Sequence, residues 1–145
     1  MEPLDLSVQP PRAPREKMLG VYFLPRTIDK VRGHLPGGNP NGYIFRGFGM
    51  SGYLLKKIGV DPEALSAAVA AASTEADVEA WIAANAKLGA VEDLNARISS
   101  VTIGMQDENA LAMMRSFYPK VDELPKSMPI FEVLEMDDAR LFSKR

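Results

Sequence analysis

The stretch from Val60 to Ala86 reads VDPEALSAAVAAASTEADVEAWIAANA and indicates two successive helices. Asp61-Pro62-Glu63 combines a capping side chain, a proline suited to the first helical position and an acid in the first turn. The second helix has its capping side chain at Ser73 or Thr74. Two locally encoded helices in the middle of the chain favour a helical domain.

Apolar residues continue at helical spacing on both sides of this stretch. They predict helices from Met50 to Ile58, around 91–101 and 111–118, and from Pro129 onwards. Residues 15–35 are predicted as the first helix, with a kink at Pro25 because proline removes a backbone donor. The predicted fold class is therefore all-α, a compact irregular bundle of six or seven helices.

A glycine-rich loop follows the predicted first helix, beginning with Pro36-Gly37-Gly38-Asn39-Pro40. Asn41-Gly42 beside residues 43–45 is compatible with one short strand, but no second convincing strand is available to pair with it. The segment is therefore kept as a loop. It lacks the Gly-Lys-Ser/Thr ending of a phosphate loop and the strand that leads into a dinucleotide fingerprint.

Length and composition indicate one domain in a reducing compartment. The chain has 145 residues, and we expect an extended proline-containing arm over residues 1–13 and a single helical domain over 14–145. It has no cysteine, no signal-like apolar run near its start and no segment as apolar as a membrane span, so we expect a soluble, cytoplasmic protein with no membrane partner.

The charge balance argues against a polyanionic partner. Lysine and arginine number 17 against 19 acidic residues, giving a net charge of -2, so we expect no nucleic-acid binding. The sequence predicts no cofactor and no metal site. Four carboxylates along the last helix are interpreted as a solvated acidic face, although they are also compatible with a hard cation: Glu132, Glu135, Asp137 and Asp138.

The densest polar residues lie in the predicted first helix. Tyr22, Arg26 and Asp29 are spaced by four and three, so the prediction places a phenol, a cation and a carboxylate on one helical face. With His34, the only histidine, Tyr22 and Asp29 are the candidates for catalytic proton transfer. The simpler alternatives are a surface ion pair between Arg26 and Asp29, a half-buried Tyr22, and a His34 that interacts with the end of its helix.

These residues suggest a pocket for a small anionic molecule between the first helix and the glycine-rich loop. Arg26 and Lys30 are the predicted anion-binding cations, and the loop adds Asn39, Asn41 and Tyr43 as candidate ligand-binding residues. The alternative is a non-catalytic interaction protein, such as a homodimeric adaptor that uses exposed apolar helix faces. The sequence does not decide whether the protein is an enzyme.

Several blocks of the sequence resemble a bacterial family known as domain of unknown function five-zero-six-nine. The blocks are Pro14 to Gly20, Tyr22 to Lys30, Leu35 to Asn39, Met50-Ser51, Tyr53 to Lys57 and Asp137 to Arg140. They extend over nearly the whole chain. The resemblance implies a small, bacterial, cytoplasmic, single-domain protein, and it supplies no activity and no catalytic residue.

Overall fold

The structure is a computed structural model that describes residues 1–142 of the chain. Within that range a small β-hairpin precedes seven α-helices. The strands are β1 (Lys17–Met18) and β2 (Val21–Tyr22), and the helices are α1 (Leu24–Gly33), α2 (Met50–Lys57), α3 (Pro62–Ala71), α4 (Glu75–Asn85), α5 (Val91–Ser99), α6 (Glu108–Phe117) and α7 (Ile130–Phe142). The predicted fold class is confirmed. Residues 143–145 of the predicted domain lie outside the described range.

The helices from α2 to α7 lie where their local signals predict them. Asp61 caps α3 by accepting a hydrogen bond from the backbone N–H of Ala64, and Thr74 caps α4 within a capping box. Short 3₁₀ turns at Ile103–Met105 and Val121–Glu123 lie on either side of α6. No helix of residues 1–142 combines the length and apolar character needed to cross a membrane.

The predicted first helix is wrong in its first half. Residues 17–22 form an antiparallel hairpin whose two turn residues, Leu19 and Gly20, both have positive φ, as a tight hairpin turn requires. Helix α1 begins only at Leu24, and Pro25 lies in its first turn, where the missing N–H has no acceptor to satisfy. Pro25 therefore starts the helix and does not kink it. The short strand also precedes α1, whereas residues 43–45, the predicted position, form no strand.

The N-terminal arm lies against the far end of α1. The backbone N–H of Leu4 donates to the carbonyl of Arg32, and the arm exchanges further backbone hydrogen bonds with Asn39. Leu6 is fully buried and lies against Gly33, where a side chain would collide with it. The arm thus covers the end of α1 and fixes the start of the glycine-rich loop.

The apolar interior consists of two clusters. The larger cluster surrounds α1 and includes Phe23, Ile28 and Phe131, whereas the smaller cluster joins α6, the 3₁₀ turns and one side of α7. Met50 and Leu134 pack against both clusters. The region between them is where α1, α2, α6, α7 and the glycine-rich loop meet.

Candidate functional site

A cavity of about 790 Å³ lies between the two apolar clusters. Its walls are mainly apolar and aromatic, as is typical of small-molecule sites. Among the lining residues are Phe23, Phe48, Met50, Met114, Ile130 and Leu134. Within the described part of the chain, the charged side chains in its lining are Arg26, Lys30 and Asp137. The volume suits a molecule of metabolite size.

Lys30 is a buried cation in the wall of this cavity. Its exposed fraction is 8%, and its Nζ atom lies 4.9 Å from the centroid of the Phe23 ring. Its one hydrogen-bond partner in residues 1–142 is the hydroxyl of Ser51, at 3.2 Å, and no carboxylate pairs with it. Burial lowers the pKa of Lys30 well below its ordinary value, and the positive charge of Arg26 lowers it further against the opposing effect of Asp138.

A chain of hydroxyl groups fixes the direction of the Lys30 hydrogen bond. Thr27 Oγ1 donates its single hydrogen to the carbonyl of Phe23 at 2.9 Å, so it must accept from Ser51 Oγ, which is also 2.9 Å away. Ser51 therefore accepts from Lys30 Nζ. The arrangement holds the amine in place without engaging its lone pair.

Arg26 is the second buried cation, and it is neutralised. Its exposed fraction is 1%, and its Nη1 and Nη2 atoms donate to the two carboxylate oxygens of Asp138 at 2.7 and 3.3 Å. The Tyr43 hydroxyl donates to the same carboxylate at 3.0 Å, and burial together with this neighbouring negative charge raises the pKa of Tyr43. The Nε–H of Arg26 is buried and has no acceptor in residues 1–142.

Asp137 brings a carboxyl group to the cavity from α7. It accepts a hydrogen bond from Arg140 Nη2 at 2.8 Å. Burial raises the pKa of Asp137, although Arg140 opposes this shift. The groups that set the electrostatics of the cavity are therefore Lys30, Arg26 with Asp138, and Asp137 with Arg140.

Four of the predicted ligand-binding residues line the cavity and one does not. Arg26, Lys30, Asn41 and Tyr43 are in its walls. Asn41 also donates from Nδ2 to the carbonyl of Leu6 at 3.0 Å. Asn39 is not part of the lining, because its backbone pairs with the arm and its side chain accepts from the backbone of Asn41. Its contacts serve the loop itself.

The predicted grouping of Tyr22, Arg26 and Asp29 on one helical face is wrong. Tyr22 lies in β2, half-buried, with its ring edge-on to Phe131 at 6.1 Å. Asp29 is buried beneath the arm and accepts from the backbone and guanidinium of Arg12 at 2.8 to 3.2 Å. The alternative ion pair between Arg26 and Asp29 is wrong as well, because each has a distant partner.

His34 lies at the C-terminal end of α1, outside the cavity lining. Its Nε2 atom is 2.8 Å from the backbone carbonyl of Tyr43, and since a carbonyl can only accept, Nε2 carries the hydrogen. Its ring is edge-on to Phe45 at 5.2 Å. These contacts join the glycine-rich loop to the end of α1.

The prediction of a solvated acidic face on the last helix is half wrong. Glu132 is exposed and Glu135 partly exposed, but Asp137 and Asp138 are buried. Asp138 pairs with Arg26 across 112 positions of sequence, a contact that no local pattern signals. Among residues 1–142 no group of three or more acidic or histidine side chains is arranged to hold a metal ion.

Glycine at position 52 lets the loop fold against α2. A methyl group there would lie 2.3 Å from the carbonyl oxygen of Gly47, a backbone atom that cannot rotate away. Gly47 and Gly49 both have positive φ and flank Phe48, which lines the cavity. This close approach fixes the position of Phe48.

Replacing Gly52 by alanine is expected to destabilise the protein by about 1–3 kcal/mol, because the loop must move away from α2. Gly89→Ala is the matched control, since a methyl group at position 89 meets no atom within 4 Å and should change stability by less than about 0.5 kcal/mol. Urea unfolding of both variants tests the difference. Equal effects of the two substitutions would contradict the inferred contact.

No curated protein matches this chain in sequence. The family described as Domain of unknown function (DUF5069) matches residues 8–140, which include α1, the glycine-rich loop and nearly all of α7, so the chain belongs to that family.

Proposed function

We propose that the protein binds a small molecule with an apolar body and a single acidic group in the cavity. The observation that carries the proposal is Lys30, a buried lysine in an apolar wall without a carboxylate partner among residues 1–142. A buried cation without a counter-ion is unfavourable, and a bound carboxylate would supply one. Arg26 lines the same cavity and has an Nε–H group without an acceptor in the described residues.

The apolar walls favour a monocarboxylate over a phosphate. Aromatic and methionine side chains, including Phe48, Met50 and Met114, can bury the body of the ligand and adapt to its shape. They offer few donors for the several oxygens of a phosphate group. One carboxylate at Lys30 and an aromatic or aliphatic body against these walls fit the cavity best.

The exposed apolar side chains support a pocket more than an adaptor surface. Ile44, Phe48 and Leu141 are exposed, and all three belong to the cavity lining. They therefore gather at one concave place on the described surface and do not extend over a flat face. A small apolar ligand would cover them.

Binding of a carboxylate is expected to take up a proton. The anion favours the charged form of Lys30, whose pKa is lowered in the free protein by burial and by Arg26. Above that lowered pKa, the affinity should fall as pH rises, by up to about tenfold per pH unit. Calorimetry in buffers with different ionisation enthalpies measures the proton uptake directly.

The test compares benzoate and hexanoate with their neutral amides by calorimetry. The wild type should prefer the acids, whereas Lys30→Met should lose that preference, with a loss of affinity of about tenfold or more. Lys56→Met is the control, because Lys56 is an exposed lysine on α2. Acids and amides that bind the wild type equally would contradict the role of Lys30. No binding of any of the four at millimolar concentration would contradict the pocket itself.

A further inference from the structure

The environment of Lys30 resembles that of a reactive amine more than that of a structural lysine. A structural buried lysine pairs with a carboxylate, but Lys30 has only the Ser51 hydroxyl, to which it donates. Thr27 takes the hydrogen of Ser51, so Ser51 cannot donate back to the amine. The lone pair of a neutral Lys30 therefore has no partner among residues 1–142, and Lys30 lines the cavity.

We infer that Lys30 is a nucleophile that forms an imine with the carbonyl group of an apolar aldehyde or ketone bound in the cavity. The inference rests on the proposed function, because it requires the cavity to admit a small apolar molecule. It goes further by naming the carbonyl group as the part of the ligand that reacts.

The reaction needs no oxidant and no cofactor. The Nζ lone pair forms a bond to the carbonyl carbon, and the π electrons of C=O move to the oxygen, which takes a proton as the nitrogen loses one. The resulting carbinolamine loses its hydroxyl group with a second proton as water while the nitrogen lone pair forms the C=N bond. The products are one imine and one water molecule.

Three features of the site favour this step. Burial in apolar walls and the nearby charge of Arg26 both favour the neutral, nucleophilic amine, and they lower the pKa of Lys30. Ser51 holds the amine by accepting one of its hydrogens. Asp137, a cavity carboxyl whose pKa burial raises, is a proton donor in the same wall for the departing hydroxyl group.

The test uses benzaldehyde with sodium cyanoborohydride at pH 7, followed by digestion and mass spectrometry of the peptides. Reduction traps each imine as a benzyl group on its lysine. Lys30 should be modified at least about tenfold faster than exposed Lys56 of the same molecules, since each unit of lowered pKa raises the neutral fraction tenfold. In urea-unfolded protein the two lysines should react at equal rates.

Modification of Lys30 no faster than that of Lys56 in the native protein would overturn the inference. An excess at Lys30 that persists in unfolded protein would also overturn it, because the cavity would then have no part in the reactivity. Benzoate binding measured separately distinguishes the two proposals. If benzoate binds but Lys30 is not modified, only the imine fails; if Lys30 is modified but benzoate does not bind, only the acidic ligand fails.

Discussion

Replacing Asp138 by asparagine is expected to lower the free energy of unfolding by about 3–5 kcal/mol, because it leaves the Arg26 guanidinium buried without its counter-charge. Asp138 is bound to Arg26 through both carboxylate oxygens, and it also accepts from the Tyr43 hydroxyl. The substitution keeps the size of the side chain and removes only its charge. Urea unfolding monitored by circular dichroism measures the loss.

Two further variants make this expectation specific. Asp122→Asn removes an equally short pair with Arg115, but both of those side chains are substantially exposed, so we expect almost no change in stability. Adding Arg26→Met to Asp138→Asn should recover part of the loss, because the unpaired buried charge is then absent. A double variant as unstable as the sum of the two single variants would show that the pair has no electrostatic role.

Lys30→Met is expected to stabilise the protein at neutral pH and to flatten its pH dependence. In the wild type the unfolded chain binds a proton at Lys30 that the folded protein does not, because burial and Arg26 lower the folded-state pKa. Stability therefore rises with pH from the lowered pKa up to the ordinary lysine value of about 10.4, by up to about 1.4 kcal/mol per pH unit. Methionine fills a similar volume and removes this dependence.

The measurement is the difference in the free energy of unfolding between wild type and Lys30→Met at several values of pH between 7 and about 10. The difference should favour the variant at the lowest pH and shrink as pH rises. Titration of Tyr43, Asp137 and the other groups of the cavity is present in both proteins and cancels to a first approximation. Lys56→Met should show no such trend. A difference that is constant with pH would mean that Lys30 keeps its ordinary pKa.

The helices from α2 to α7 could be predicted because their starts and apolar faces are written locally. Asp61 and Pro62 begin α3 by interactions within one turn, and Thr74 does the same for α4. The hairpin at residues 17–22 could not be predicted, because its apolar residues also fit a helical spacing. Leu19 takes a positive φ that its side chain does not announce.

The cavity could be predicted in position but not in its charge arrangement. Arg26, Lys30, Asn41 and Tyr43 are polar residues close together in sequence near a glycine-rich loop, and this density is a local signal. Asp138 is far away in the chain, and it looks like any acid on a helix surface until α7 packs against α1. Long-range packing decides which charges are buried, and sequence periodicity does not contain that information.

The cavity occupies the seam between two separately packed apolar clusters, and this position bears on how a ligand would enter. A small relative displacement of the α6 side opens the seam without breaking up either cluster, so it sacrifices little packed surface. Such sub-global breathing belongs to microsecond-to-millisecond motion. A ligand lodged in the seam would touch both clusters at once, and its residence time would be set by the rate at which they part.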